Sequence, residues 1–210
     1  MARYKDAVCR LCRREGMKLF LKGSKCFTDK CPVEKRNYAP GQHGKDKKTK
    51  IVGYGLQLRE KQKAKRMYFV GENQFRNYYE VASNAPGVTG EILLQQLERR
   101  LDTLVFRLGF ANARRQARQL VRHGHIAVNG KKVNIPSYLL KAGDVVELKE
   151  KSRGIAQIQQ TLTALEKRGF PTWLEIDKTQ FRGKVLALPA RDESTMPTVK
   201  EQLVVELYSK

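Results

Sequence analysis

Acidic residues are scarce in this 210-residue chain, where 21 Asp and Glu stand against 42 Lys and Arg and leave a formal net charge of +21. No acidic residue occurs anywhere in residues 103–143. Because a charge of this size opposes compact folding, we expect a polyanionic partner. Nucleic acid fits best, since each docked Lys or Arg releases counterions from the phosphates. An anionic membrane surface is the competing partner, but the sequence has neither a Met-Gly start nor a C-terminal Cys that would signal lipidation.

Long apolar runs are also missing. None approaches the roughly 18–20 residues of a membrane span, and the first residues carry no apolar signal region. We therefore expect a cytoplasmic protein with no membrane partner. Phosphate-loop, nucleophile-elbow and metalloprotease motifs are absent, as are paired carboxylates within a basic segment. The sequence thus predicts a protein that is not an enzyme and has no small-molecule substrate.

The positive charge is concentrated in two blocks. Residues 1–50 hold 15 basic and 5 acidic residues, and residues 99–151 hold 12 and 4. The segments 51–98 and 152–210 are close to neutral. This uneven distribution predicts two surfaces that contact nucleic acid, with the neutral segments as scaffold or protein-facing surfaces.

All four cysteines lie in the first 31 residues, as a Cys9-x2-Cys12 pair and a Cys26-x4-Cys31 pair. This spacing is typical of a structural metal site. Zn²⁺ is the default occupant, and a [4Fe–4S] cluster suits the same four thiolates, so spacing does not separate the two. Two disulfides or four unrelated thiols are the alternative, which a cytoplasmic location and the clustering disfavour.

Hydrophobic periodicity predicts helices over residues 56–66, after Gly71, over 90–108 and over 112–123. Asn129-Gly130 between alternating apolar residues predicts a two-residue β-hairpin. Further strands are expected at 145–148, 173–176, 185–188 and 203–207.

The helix at 112–123 is expected to direct Arg114, Arg115, Arg118 and Arg122 outward, with Lys131 and Lys132 just past the hairpin turn. A rigid row of guanidinium groups suits bidentate phosphate contacts. A solvated surface is the plainer interpretation, but the lack of acidic residues favours nucleic-acid contact. His123 and His125 fit stacking or phosphate contact better than a metal. His43, in a Gly-rich loop, fits an RNA contact and a simple turn equally well.

The segments around these arginines, namely 97–102, 107–110, 114–121, 125–126 and 128–130, resemble the S4-type RNA-binding domain. Other stretches extend the likeness over essentially the whole chain to the bacterial ribosomal protein S4 family: 2–4, 13–16, 39–44, 57–63, 74–77 and 206–210.

The resemblance implies an α+β fold with a metal-bearing N-terminal segment, an all-helical domain, and an inserted S4-type domain of two helices on a small, mostly antiparallel sheet. The expected divisions are 1–50, then 51–98 completed by 190–210, then 99–189. The implied function is that of a structural constituent of the small ribosomal subunit, binding 16S rRNA as a primary binder that nucleates assembly of the subunit body. Contacts with protein S5 and other small-subunit proteins, a role in translational accuracy, and proximity of loop 45–50 to incoming mRNA are also implied. The alternative is an S4-domain regulator or RNA-modifying protein outside the ribosome.

These considerations predict three groups of RNA-binding residues. The N-terminal group is Arg3, Arg10, Arg13, Arg14, Arg36, Gln42, His43, Lys45, Lys47 and Lys48. The helical group is Arg59, Lys63 and Arg66. The S4-type group is Arg99, Arg100, Arg107, Arg114, Arg115, Arg118, Arg122, His123, His125, Asn129, Lys131 and Lys132.

Overall fold

The computed structural model describes residues 4–46, 50–168, 171–191 and 199–209, with only the backbone described over 164–168. The chain forms two compact units, Met1–Gly90 together with Thr198–Lys210, and Glu91–Pro197. The finer division at residues 50, 98 and 189 stays a prediction.

The elements of the described residues follow in chain order. The helices are α1 (Cys9–Glu15), α2 (Pro32–Lys35), α3 (Tyr54–Met67), α4 (Glu72–Ser83), α5 (Thr89–Glu98), α6 (Leu101–Arg107), α7 (Arg114–Arg122), α8 (Glu150–Arg153), α9 (Ala156–Arg168) and α10 (Glu201–Tyr208), with a 3-10 helix at Gly23–Phe27. The strands are β1 (Ile126–Val128), β2 (Lys131–Lys132), β3 (Val145–Leu148), β4 (Leu174–Asp177) and β5 (Arg182–Val185).

In the first unit the C-terminal helix α10 packs against α3. The ring of Tyr208 stacks on Tyr79, with 4.7 Å between ring centroids, and lies 6.3 Å from the ring of Phe75, which is fully buried. The Tyr208 hydroxyl donates a hydrogen bond of 3.0 Å to Glu72. Helix α10 thus shares one helical core with α3 and α4.

The second unit is built around an antiparallel sheet with strand order β2-β1-β3-β5-β4. Its core joins α6 and α7 to the sheet through large apolar side chains, among them Leu104, Phe110, Val121 and Val146. Ile158, Leu162 and Trp173 extend the same core. Mixed helical and antiparallel structure confirms the predicted α+β class.

The hairpin turn is formed by Asn129 and Gly130, as predicted. Their φ angles are +49° and +76°, the two successive positive values that a tight turn matching strand twist requires. Asn and Gly are the residues that adopt such angles at least cost. The turn sets Ala127 opposite Lys132 and Val128 opposite Lys131.

The single helix predicted over 90–108 is wrong, because the chain divides into α5 and α6 around Arg99 and Arg100. Arg100 has extended backbone angles of −64° and 138°. The amide of Leu101 donates to the carbonyl of Tyr138 instead of continuing the helix, and Arg100 pairs with Leu139 as an isolated β-bridge. Contacts distant in sequence therefore interrupt an apolar stripe that is locally continuous.

Two strand predictions also need correction. Residues 203–207 lie in helix α10, since packing of this apolar segment on α3 outweighs its β-branched composition. The strand expected at 185–188 is β5, which ends at Val185. The remaining predicted helices and strands lie within a few residues of their expected positions, whereas α1, α2, α8 and the 3-10 helix were not predicted. Within the described residues, no helix is long and apolar enough to cross a membrane.

Candidate nucleic-acid interface

The four cysteines lie around one small cavity of about 10 Å³ in the first unit. Helix α1 contributes Cys9 and Cys12, the 3-10 helix contributes Cys26, and Cys31 directly precedes α2. All four are free thiols; Cys9 is half-buried and the others are buried. The sequence spacing is therefore matched by proximity in the fold.

Burial raises the pKa of the Cys12 thiol to about 11, and the neighbouring thiols add to the effect while a backbone hydrogen bond at Leu19 opposes it. Burial likewise raises the pKa of Cys26, whose sulfur accepts a hydrogen bond of 3.4 Å from the Lys22 amide. Among the described residues, no three His, Cys, Asp or Glu side chains are placed as a ready metal-ligand set. The donor chemistry, four cysteines that line one cavity, nevertheless fits a thiophilic metal.

A basic cleft of about 320 Å³ lies beside the cysteine cavity. It shares Cys9 with that cavity, and none of the described residues that line it is acidic. Its cationic lining residues come from α1, from α2 and from the residues on either side of α2: Arg10, Arg13, Lys30, Lys35 and Arg36. Converging cations of this kind provide a docking place for phosphate groups.

Arg13 has a second role within this region. Its guanidinium donates to the backbone carbonyls of Tyr38 at 3.0 Å and Ala39 at 3.3 Å, and it lies 4.7 Å from the centre of the Tyr38 ring. It thereby ties α1 to the loop that carries the exposed residues Gln42, His43 and Lys45. Arg14 is exposed on α1. Arg3, Lys47 and Lys48 lie outside the described residues.

The predicted RNA-binding cations on α3 are all paired with carboxylates. Arg66 and Arg59 both face Glu15, with the Arg59 contact at 3.7 Å, and Lys63 bonds to Glu60 at 2.7 Å. Burial raises the pKa of Glu15, and the two arginines oppose that rise. The two arginines join α3 to α1, and Lys63 is held within α3, so the placement of these cations gives little support to direct RNA contact.

Arg100 and Arg107, both predicted to bind RNA, lie inside the second unit. Arg100 is 0% exposed and donates two hydrogen bonds to Asp102, at 2.9 and 2.7 Å. Arg107 donates two to Glu98, at 3.0 and 2.7 Å. Each charge has an internal partner and offers no guanidinium face to an external phosphate, so the positions do not support RNA contact. Arg99 is half-buried and donates to the carbonyl of Leu140 at 2.8 Å.

The four arginines of α7 do not all point outward as predicted. Arg122 is exposed and Arg115 half-buried, whereas Arg118 is 7% exposed. Arg114 lies over the Phe106 ring at 4.7 Å and 3.9 Å from Glu98. The predicted start at Asn112 is two residues too early, since α7 begins at Arg114. Ala113 occupies the N-cap position without a side-chain cap, and the Asn112 amide donates to the Gln116 side chain.

The end of α7 and the hairpin form one basic surface. A Cβ atom on Gly124, which has a φ of +73°, would clash with Cε of Lys132, so the lysine stem runs directly over this glycine. Arg122, His123, Lys131 and Lys132 are all exposed here. We call these four residues the hairpin surface. Each of them is a predicted S4-type residue whose side chain is open to solvent.

His125 and Asn129 have structural partners. Nδ1 of His125 lies 2.8 Å from the Ser152 hydroxyl, and the rings of His123 and His125 are 6.1 Å apart. The Asn129 side chain donates to Asp144 at 2.9 Å and accepts from the Val145 amide at 2.8 Å. Asn129 therefore bridges the turn to β3, besides any RNA contact.

Some residues of the basic cleft were absent from the sequence-based prediction. Lys30 and Lys35 line it as fully as Arg10 and Arg36 do. Their position in the basic block of residues 1–50 could have identified them, because their charge alone puts them with the N-terminal group of predicted RNA-binding residues. Two exposed aromatic residues, Phe20 and Phe27, gave no comparable signal, since spacing does not distinguish exposed from buried phenylalanines.

The chain is similar to known families over most of its length. Residues 3–98 match the Ribosomal protein S4/S9 N-terminal domain, and residues 99–146 match the S4 domain. Proteins named "Small ribosomal subunit protein uS4" are 69% identical in Koribacter versatilis, 63% in Acidobacterium capsulatum and 59% in Citrifermentans bemidjiense. Each alignment covers 210 residues, 100% of this chain and 100% of the relative.

Proposed function

The chain belongs to the uS4 family of small ribosomal subunit proteins, and from this premise we propose that it is a structural constituent of the small subunit that binds 16S rRNA. The observation that carries the proposal is identity along the full length, which includes both the N-terminal domain and the S4 domain. Its role is structural and not catalytic. We place it in the cytoplasm, on the ribosome.

Two basic regions support RNA binding. The basic cleft beside the cysteines gathers cations from α1 and α2, and the hairpin surface gathers Arg122, His123, Lys131 and Lys132. Each region belongs to one of the two blocks that hold most of the net charge. Cations on a rigid framework recognise RNA mainly by its shape and phosphates, with exposed bases read at junctions. We infer that the protein organises a junction of rRNA helices early in assembly of the subunit body.

The cysteine cluster is proposed to hold one metal centre, Zn²⁺ or a [4Fe–4S] cluster. Cys9, Cys12, Cys26 and Cys31 would be its ligands, and the bound centre would supply a positive charge that keeps the thiols ionised. This proposal is supported by four free thiols around one cavity and by the cationic side chains near them. The centre would fix the positions of α1 and α2 relative to each other and so preserve the shape of the basic cleft.

Further partners are proposed from family membership. They are protein S5, other small-subunit proteins, and mRNA close to the loop that follows Gly44. The contact with S5 would affect translational accuracy. The near-neutral segments 51–98 and 152–210 suit protein contacts, since they lack the excess charge that marks the two basic regions.

The test is binding of the purified protein to a 16S rRNA transcript over a series of salt concentrations. The phosphate-contact account predicts a tight complex whose log affinity falls linearly with log salt concentration. A 23S rRNA transcript serves as the control for non-specific attraction. Equal affinity for the two transcripts, or a salt slope near zero, would contradict the proposal.

A further inference from the structure

Two phenylalanines lie side by side on the surface of the cysteine-bearing segment. Phe20 is 44% exposed and Phe27 is 65% exposed. Their ring centroids are 5.0 Å apart, and the ring planes make an angle of 27°. The rings therefore form a stacked pair whose outer face is open to solvent.

The backbone turns Phe20 outward against the tendency of an apolar side chain to be buried. Its neighbours Leu19 and Leu21 are 2% and 4% exposed, so the chain at this point borders the core. Phe20 itself has a φ of +51°, in the left-handed region that bulky side chains rarely adopt. Strain of this kind persists where the surrounding structure enforces it, and it is concentrated at functional positions.

Two cations lie near Phe20, one member of the stacked pair. Lys22 and Lys25 line the same cavity as Phe20, and both are exposed. Among the described residues, neither of them forms an ion pair, while the nearby Lys18 is paired with Glu34. Asp29 is the other acidic residue of the segment 18–34. An open aromatic face bordered by unpaired lysines is the combination with which proteins hold single-stranded nucleic acid.

We propose that Phe20 and Phe27 form a stacking platform for an unpaired base of the bound rRNA. The base would stack on the open face of Phe27, the more exposed ring, and Phe20 would support that ring from behind. Lys22 and Lys25 would contact the phosphates on either side of the base. This inference rests on the proposed function. The two basic regions contact phosphates, and the platform would add a contact that recognises an exposed base.

The platform is tested with Phe27→Leu and with the double variant Phe20→Leu/Phe27→Leu, which keep apolar bulk and remove the aromatic face. We expect affinity for a 16S rRNA transcript to fall by roughly tenfold, as is usual when one base is deprived of its aromatic stacking partner. The salt slope should stay unchanged because every phosphate contact is kept. Phe27→Tyr keeps a stacking ring and should bind as the unaltered protein does. Val81→Ala, an exposed apolar change on α4, is the matched surface control.

Ultraviolet crosslinking of the unaltered protein to the same transcript, with peptide mapping, gives a reading that does not depend on a variant folding. A crosslink at Phe20 or Phe27 supports the platform, and crosslinks elsewhere with none at these residues overturn it. Leu variants that bind the transcript as well as the unaltered protein also overturn it and leave the proposed function intact. Normal RNA binding combined with loss of incorporation into subunits overturns it in favour of a protein contact. Failure of the unaltered protein to bind the transcript overturns the proposed function itself.

Discussion

Glu98, at the end of α5, accepts two hydrogen bonds from Arg107 at the end of α6, at 3.0 and 2.7 Å, and the carboxylate side chain is only 1% exposed. The guanidinium of Arg114 approaches the same carboxylate at 3.9 Å. One acidic residue thus links α5, α6 and α7. Arginines that looked like RNA contacts in the sequence are part of this internal support.

Replacing Glu98 with Gln should destabilise the second unit by about 3–5 kcal/mol, because it leaves the Arg107 charge buried without its counter-charge. Urea denaturation followed by circular dichroism measures the change. Glu91→Gln, an exposed change in the first turn of the same helix, is the control and should cost about 1 kcal/mol or less. Equal destabilisation by the two variants would show that the buried pair of Glu98 and Arg107 contributes no more to stability than an exposed charge does.

Acid should weaken the packing of α10 through Glu72. Partial burial raises the pKa of this carboxyl, but hydrogen bonds from Lys61, Lys65 and Tyr208 outweigh that effect and lower it to about 2. Since the pKa in the folded state lies below the ordinary value of 4.5, Glu72 stabilises the fold above about pH 4.5, and this contribution is lost as the pH falls toward 2.

Glu72→Gln should therefore cost about 1 kcal/mol at neutral pH, a modest figure because the side chain is 42% exposed and solvent screens its ion pairs. The variant should also lose part of the fall in stability between pH 5 and about pH 2. Denaturation curves recorded across this range provide the test. Glu80→Gln on the same helix removes only the exposed pair with Arg76 and should lower stability less than Glu72→Gln does.

The hairpin surface should contribute to RNA affinity through its charges. Changing Arg122, Lys131 and Lys132 together to Gln should weaken binding to a 16S rRNA transcript and lower the salt slope by about 1 for each phosphate that is no longer neutralised. Filter binding at several salt concentrations measures both effects. Arg100→Met is the contrasting variant: its charge is buried, so stability should fall with little change in the salt slope of the folded protein. A salt slope that drops for Arg100→Met and not for the triple variant would reverse this assignment.

Gly124 should matter for the position of Lys132. Gly124→Ala adds a Cβ atom in the path of the lysine stem, and Gly130→Ala adds one to a position with a similar φ of +76° and nothing within 4 Å. Both changes should cost about 1–2 kcal/mol, since an L side chain is strained in the left-handed region. Only Gly124→Ala should also reduce rRNA affinity, because it displaces Lys132. Equal RNA affinities for two folded variants would contradict this.

Metal analysis tests the cysteine cluster. One zinc ion, or one [4Fe–4S] cluster with visible absorption, is expected per chain in protein purified aerobically and anaerobically. Replacing Cys12 with Ser should release the metal and lower rRNA affinity through the adjoining cleft. Absence of any stoichiometric metal in both preparations would refute the site.

Much of the fold followed from local pattern. Asn129-Gly130 between alternating apolar residues was enough to predict the hairpin. Hydrophobic periodicity was enough to predict α4, whose buried residues are Phe75, Tyr78 and Ala82. These signals are local, since turn angles and amphipathic faces are properties of short segments. The break between α5 and α6 was missed because it depends on Tyr138 and Leu139, nearly forty residues away.

The site was harder to predict than the fold. A charged residue in a basic block looks the same in sequence whether it faces solvent, like Arg122, or a buried carboxylate, like Arg107. Only tertiary structure decides which arginines are satisfied internally. The same limit applies to Phe20 and Phe27. Phe20 is exposed at a strained backbone angle that composition does not encode, and nothing local in the sequence distinguishes Phe27 from a buried phenylalanine.

Sedimentation of a cell extract through a sucrose gradient, with the protein detected by a specific antibody, tests the central claim most directly. A structural constituent of the small subunit should be found in stoichiometric amount with free small subunits and whole ribosomes, and it should stay with them after a high-salt wash. Its recovery with free large subunits, or at the top of the gradient away from ribosomal particles, would contradict the account.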